Sequence, residues 1–234
     1  MKQYQKDRIG LMKKILPLFG DKFVLKGGTS LMLYYGLNRY SEDIDLDAID
    51  EMDITKYLKN PGYETWNIRI AKDTPTVFRV MLDYGAKSDL GNYPLKIEVS
   101  SRNRNFLNKN LFEINKINGV KVYNIKEIIN MKVSTFAQRD KIRDLYDLGF
   151  LLKKYPQYFN EDKLKLIMEN MQYKGLENLS LLLKDEFKNH DLNVDLSTDD
   201  YVLNMYLKCE KLLVDIKSRE LLKNKENEDD LEIE

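Results

Sequence analysis

Apolar residues recur at helical or strand periods along most of this chain. Ile9, Met12, Ile15 and Leu16 stand three or four apart and run up to Pro17, so an amphipathic helix opens the chain and stops there. Lys22 to Lys26 reads as a short strand. Gly27-Gly28 punctuates it, Thr29 or Ser30 offers a helix cap, and Leu31 to Tyr35 continue as a helix that Gly36 closes. From Asp43 to Ile49 acidic and apolar residues alternate with few exceptions, the period-two pattern of a half-buried strand with its acids on one face. Phe78 to Tyr84 and Leu95 to Ser100 read as two further strands, and Gly85 to Pro94, rich in turn residues, suits the hairpin loop between them.

Beyond about Val122 glycines thin out and the apolar spacing turns helical. The pattern predicts helices over Ile125 to Gln138, Ile142 to Lys153, Lys163 to Met171, Glu177 to Lys188 and Thr198 to Lys223. The expected architecture is α+β: residues 1–121 carry a mixed sheet, residues 122–234 form a helical half, and an acidic tail begins near residue 226.

Composition narrows the class. With 43% hydrophobic and 32% charged residues the chain can bury a core and stay soluble. No apolar run approaches the ~18 residues of a membrane span, and the polar N-terminus is unlike a secretory signal, so a cytoplasmic protein with no membrane partner is expected. One cysteine, Cys209, and one histidine, His190, build neither a disulfide framework nor a zinc site; any metal here must bind carboxylates. Lysine plus arginine (38) equals aspartate plus glutamate (38), so net charge points to no polyanion. Locally, Lys96, Arg102, Arg104, Lys109, Lys116 and Lys121 face only Glu98 and Glu113, which is either a solvated face or a phosphate-contacting surface.

The chemistry lies in a conjunction. Asp43 and Asp45, two apart on a strand, project from one face and can chelate divalent ions, with Ile44 and Leu46 anchoring the other face. Glu98 sits in a similar apolar frame and supplies a third carboxylate if its strand lies beside the first. Gly27 and Gly28 let backbone amides at a helix start approach phosphate oxygens, and Thr29, Ser30 or Ser41 can add a hydroxyl. Alone, a Gly-Gly turn is usually structural and an Asp-X-Asp edge usually a solvated face; together, in this order, they describe a phosphate-and-metal site. Lys132 shares its helix face with Ile128, Ile129 and Phe136, and a charge in an apolar stripe needs an anion, either a triphosphate oxygen or a site carboxylate.

Lys26 to Leu31, then Arg39 to Leu46, then Lys96 to Val99 resemble the AbiEii/AbiGii toxin family of polymerase-β-like nucleotidyltransferases, and Lys132, Arg139, Lys141, Arg143, Asp144, Tyr146, Asp147 and Leu148 resemble its helical motif. The resemblance spans about residues 22–152 and implies a nucleotidyltransferase fold whose helical half completes the active site. It implies catalytic roles for Asp43, Asp45, Glu98, Lys132 and Asp144, with Asp43, Asp45 and Glu98 holding Mg2+ or Mn2+. Lys26, Gly27, Gly28, Thr29, Ser30, Ser41, Lys132 and Arg139 would bind the nucleotide. Asp144 and Asp147 remain open between catalysis and ion pairing with Arg139 or Arg143.

The implied activity is transfer of a nucleoside monophosphate from a triphosphate, GTP or a pyrimidine nucleotide, to RNA such as tRNA. The implied setting is a toxin-antitoxin or abortive-infection system with a cognate antitoxin. Two alternatives keep the fold: modification of a small molecule or protein, and a nucleotide-binding module without turnover.

Overall fold

A computed structural model describes residues 1–59, 66–190 and 197–231, with side chains described except for 188–190 and from 223 onward. The side chain of His190 and those of the acidic tail therefore lie outside the described residues. The chain divides into two compact units, Met1–Ile128 and Ile129–Glu234.

The first unit is built on a seven-stranded mixed sheet. Helix α1 (Gln3–Ile15) buries Leu11, Met12 and Ile15, and Pro17 starts a 3-10 stretch, Leu16–Lys22. Strand β1 (Phe23–Lys26) leads into a short helix α2 (Gly27–Ser30) that widens into a π turn, Leu31–Tyr35, and Gly36 ends it in the left-handed conformation. Thr29 and Ser30 do not cap this helix, contrary to the sequence pattern. The cap position is Lys26, because Gly27, at φ +73, turns the chain one residue after the strand.

Next come β2 (Ile44–Ala48), α3 (Thr55–Leu58), β3 (Asn67–Thr74) and β4 (Val77–Asp83). A small ribbon of β5 (Lys87–Ser88) and β6 (Gly91–Asn92) fills the loop before β7 (Leu95–Ser100). Helix α4 (Arg104–Asn108), β8 (Ile114–Ile117) and β9 (Val120–Tyr123) complete the unit. The strand order is β3-β4-β7-β2-β1-β9-β8. β2 runs parallel to β7 and β1 parallel to β9, while the other neighbours are antiparallel.

Alternation decides the two faces of the sheet. Ile44, Leu46, Val80, Leu82, Leu95, Ile97 and Val99 are fully buried on one side. Their strand neighbours Asp43, Asp45, Asp47, Arg79, Met81, Lys96 and Glu98 project from the other. Strands β3, β8 and β9 carry little of this alternation and are absent from the sequence expectation. For β8 and β9 a signal did exist. Asn118-Gly119, both at positive φ, forms the two-residue turn that pairs Ile117 with Val120.

Helix α5 (Ile125–Gln138) begins in the first unit and continues into the second. There follow α6 (Ile142–Lys154), α7 (Glu161–Lys174), capped by Asn160, α8 (Leu176–His190) and α9 (Thr198–Leu231). α9 packs on α7 and α8 over a core that includes Leu148, Leu151, Leu164, Ile167, Met171, Leu183, Val202 and Cys209.

Candidate active site

Strand register assembles the charged side chains of the first unit into rows. Lys26 of β1 faces Asp45 of β2, Asp45 faces Glu98 of β7, and Glu98 faces Arg79 of β4. Adjacent strands are about 4.8 Å apart, so the four side chains form one row across the sheet. Two residues along, on the same face, Asp43 stands beside Lys96 and Lys96 beside Met81. In the other direction Asp47 aligns with Ser100.

These acids have different environments. Asp47 is fully buried and accepts hydrogen bonds from Lys26 Nζ (2.5 Å), Asn103 Nδ2 (2.7 Å) and the Tyr123 hydroxyl (2.8 Å). Glu98 Oε2 accepts from Arg79 Nε (2.8 Å) and Nη2 (2.5 Å), and Asp43 pairs with the Lys96 ammonium. Asp45 has no hydrogen-bond or ion-pair partner among the described residues. Burial raises its pKa, the charge of Asp43 adds to the rise, Glu98 contributes in the same direction, and Lys26 and Lys96 offset only part of it. The pKa of Asp43 is also raised, by burial first, against the pull of Lys96. For Lys96, burial works against its charge, but Asp43, Asp45 and Glu98 prevail and its pKa rises.

The glycine turn closes one side of this row. A Cβ on Gly27 would lie 3.3 Å from Asp45 Oδ2, and one on Gly28 would lie 2.7 Å from Arg39 Nη2 and 3.0 Å from Ser41 Oγ. Both glycines therefore let backbone approach polar side chains that any larger residue would displace. Thr29 is buried and ties the turn to the acid strand, its hydroxyl donating to the Asp43 carbonyl and lying 2.8 Å from Ser41 Oγ. Ser30 is fully buried, and its Oγ has no hydrogen-bond partner among the described residues. Of the three candidate hydroxyls, only that of Ser41 belongs to a residue that keeps some exposure.

Arg8 of α1, 1% exposed, fixes the loop ahead of Asp43. Its guanidinium lies 3.3 Å from the centre of the Tyr93 ring and donates to the Glu42 carbonyl (3.3 Å), the Tyr93 carbonyl and the Tyr84 hydroxyl (3.2 Å).

The three expected metal-binding carboxylates thus sit at neighbouring positions on one face. Two of them are paired with cations, Asp43 with Lys96 and Glu98 with Arg79, and among the described residues no three His, Cys, Asp or Glu side chains stand as one metal-holding group. A divalent ion drawing on all three would compete with Lys96 for Asp43 and with Arg79 for Glu98.

The remaining expected residues cluster within the second unit. Lys132 Nζ lies 2.8 Å from Asp144 Oδ1 and 2.6 Å from Asp147 Oδ2, with side-chain exposures of 9%, 2% and 0%. Arg139, half-exposed, adds bonds from Nε (2.8 Å) and Nη2 (3.2 Å) to Asp144. Burial works to raise the Asp144 pKa, but Arg139 and Lys132 overcome it and hold the carboxyl below its ordinary value. Arg143 pairs with Glu186. The anion that Lys132 requires within its own unit is therefore a pair of buried carboxylates.

Sequence reasoning did not single out Arg8 or Arg79, and it named Arg39 and Lys96 without placing them beside the acids. For Lys96 a signal existed, because its spacing to Glu98 repeats that of Asp43 to Asp45 and puts it on the same strand face. Arg8 gave no such signal, since it lies on an ordinary charged position of an amphipathic helix.

The family model described as "Nucleotidyl transferase AbiEii toxin, Type IV TA system" matches residues 11–224. The chain is 26% identical over 200 residues to an uncharacterised protein, aq_aa25, of Aquifex aeolicus (strain VF5), covering 83% of this chain and 81% of that one. Its fold is similar to the crystal structure of JHP933 from Helicobacter pylori, with a TM-score of 0.79, 28% identity and coverage of 97% and 99% of the two chains. A second H. pylori crystal structure, a putative nucleotidyltransferase, gives a TM-score of 0.73 and 28% identity over 93% and 98%.

Proposed function

Because the chain belongs to the nucleotidyl transferase AbiEii toxin family of type IV toxin-antitoxin systems, we propose that it is a metal-dependent enzyme that moves a nucleoside monophosphate from a triphosphate to an RNA acceptor such as tRNA. The family implies a nucleotide substrate and a cognate antitoxin. No helix among the described residues is long and apolar enough to cross a membrane.

The observation that carries the reading is Asp45. This carboxylate is half-buried and has no hydrogen-bond or ion-pair partner among the described residues, its neighbours on the face are Asp43 and Glu98, and the glycine turn faces it at Gly27. A half-buried carboxylate beside two others is costly to keep charged unless a cation joins it. Three carboxylates offer the hard oxygen donors that magnesium or manganese prefers, and Asp43, Asp45 and Glu98 would hold it. When bound, such an ion neutralises triphosphate charge and that of the leaving pyrophosphate.

The protein's own groups divide the remaining work. Backbone amides after Gly27-Gly28 would meet the donor's phosphates, with GTP or a pyrimidine triphosphate as candidate donors, and Ser41 would add a hydroxyl. Lys96 and Arg79, released from Asp43 and Glu98, would be free to pair with phosphate oxygens. The acceptor hydroxyl oxygen bonds to the α-phosphorus as the bond to the β-phosphate oxygen breaks. Pyrophosphate leaves, and the hydroxyl proton passes to a carboxylate of the row.

The test is incubation of the protein with each labelled triphosphate, magnesium and total cell extract, followed by identification of the labelled species. Label should enter RNA, stop on chelation, and fall by at least ~10³ in Asp45→Asn, about 4 kcal/mol of barrier. Label found only in protein or small molecules, or an active Asp45→Asn variant, overturns the reading.

A further inference from the structure

The sheet face that carries the acids continues past Glu98 to the β3 edge, and its chemistry changes there from acidic to basic. Arg79 of β4 aligns with Lys72 of β3, and Met81, next to Lys96, aligns with Arg69. Arg69 and Lys72 are three residues apart and would point to opposite faces of a regular strand. The register of β3 shifts between Ile70 and Lys72, so an extra residue, Ala71, is accommodated and both cations end on the acid face. Both are exposed, and neither has a hydrogen-bond or ion-pair partner among the described residues. The acid on this strip, Asp83, lies at its far end and accepts the Gly85 amide at 3.0 Å.

The basic stretch singled out in the sequence is split by the fold, since only Lys96 joins this strip. Lys116 and Lys121 lie on β8 and β9, at the opposite edge of the sheet, where Lys116 pairs with Asp21 at 2.9 Å and Lys121 donates to the Asp21 carbonyl at 3.1 Å. Basic residues adjacent in sequence are thus separated by the fold, while residues 69, 72, 79 and 96 converge.

We infer that the strip Lys72, Arg69, Arg79 and Lys96 is the track on which the phosphodiester backbone of an RNA acceptor lies as its hydroxyl reaches the carboxylate row; this rests on the RNA-acceptor reading above. Two observations favour it. The strip is cationic with unpaired heads at its outer end, which complements a polyanion. It also leaves the row on the side away from the glycine turn, since Gly27-Gly28 follows β1 whereas the strip runs over β4 and β3. Donor and acceptor phosphates therefore have separate approaches to the acids. From Lys72 to Asp45 the strip crosses three strand spacings, roughly 14 Å, the rise of about four stacked nucleotides at 3.4 Å each.

The experiment compares wild type, Arg69→Gln/Lys72→Gln, the charge-conserving Arg69→Lys/Lys72→Arg, and Lys116→Gln/Lys121→Gln. Three quantities are read: KM for total cellular RNA in label transfer, the salt dependence of RNA binding by filter retention, and affinity for a fluorescent triphosphate. Arg69→Gln/Lys72→Gln should raise the RNA KM on the order of tenfold and flatten the log–log salt slope by about 1.5, two contacts at roughly 0.7–0.9 each. Nucleotide affinity should hold, and the charge-conserving pair should behave as wild type.

An unchanged KM and slope in Arg69→Gln/Lys72→Gln, with wild type still labelling RNA, overturns the track and leaves the RNA reading intact. So does a loss seen in Lys116→Gln/Lys121→Gln instead, or an equal fall in nucleotide affinity. If wild type itself labels no RNA, the RNA reading fails and the track falls with it, a result visible without any variant.

Discussion

Replacing Lys132 with methionine keeps most of the side chain's volume and removes only the ammonium shared by Asp144 and Asp147, 2.8 and 2.6 Å away. All three side chains are buried, so the charges that remain have little water to turn to. Breaking a buried ion pair by removing one partner costs about 3–5 kcal/mol. Asp144 keeps its two bonds from Arg139, which places the expected loss at the lower end, about 3 kcal/mol. With an m-value of about 1–3 kcal/mol per molar urea, the unfolding midpoint should fall by roughly 1–3 M, read by circular dichroism.

The pH dependence supplies a second readout of opposite sign. In wild type the folded Asp144 pKa is depressed, so its stabilisation is fully present above the unfolded value of about 3.9 and is lost as pH falls through the folded value. In Lys132→Met, Asp144 loses one of the two cations that offset its burial, so its pKa should rise and the stability lost at pH 7 should shrink as pH falls toward 5. Equal stability at pH 7, or parallel pH curves, would refute this account and leave Lys132 available to an external phosphate.

Three further outcomes follow from the site and the core. Asp45→Asn removes a charge whose folded pKa is raised by burial and by Asp43, so in metal-free buffer at pH 7 the variant should melt at or above the wild-type temperature even as transfer is lost; a lower melting temperature would contradict the unpartnered state of Asp45. Gly27→Ala places a Cβ at positive φ and 3.3 Å from Asp45 Oδ2, and should cost about 1–2 kcal/mol in urea unfolding, with a loss of nucleotide affinity. Cys209 is fully buried and burial pushes its thiol up to about 12, so a thiol reagent at pH 8 should leave it unmodified until denaturant is added; rapid labelling of the folded protein would show the core to be open there.

The parts of the site governed by short-range rules were legible before any fold was known. The same-face placement of Asp43 and Asp45 follows from strand alternation alone, and the helix Ile125–Gln138 has the bounds its apolar spacing predicts. The glycine turn was legible as a turn, but its helix starts at Gly27, so Thr29 becomes a buried tie to the Asp43 carbonyl instead of a cap. β3 was not legible because it is exposed along most of its length, so no burial imposes a pattern on it. The β8–β9 hairpin shows a signal at its turn, Asn118-Gly119, but β8 has no fully buried position, so burial imposes no period-two pattern on it.

By itself, then, the sequence determined which acids share a face, where glycine permits close approach, and that Lys132 needs an anion. Tertiary structure alone decided which charge meets which. The parallel pairing of β2 with β7 sets Glu98 beside Asp45, and β4 brings Arg79 to Glu98. Asp47, two residues past Asp45, is claimed by Lys26, Asn103 and Tyr123, leaving Asp45 as the acid of that strand without a partner among the described residues. The physical reason is that register between distant strands is fixed by the packing of their apolar faces, so the charged faces acquire their neighbours as a consequence. No local pattern around Asp45 encodes the loneliness of its carboxylate, on which the proposed chemistry depends.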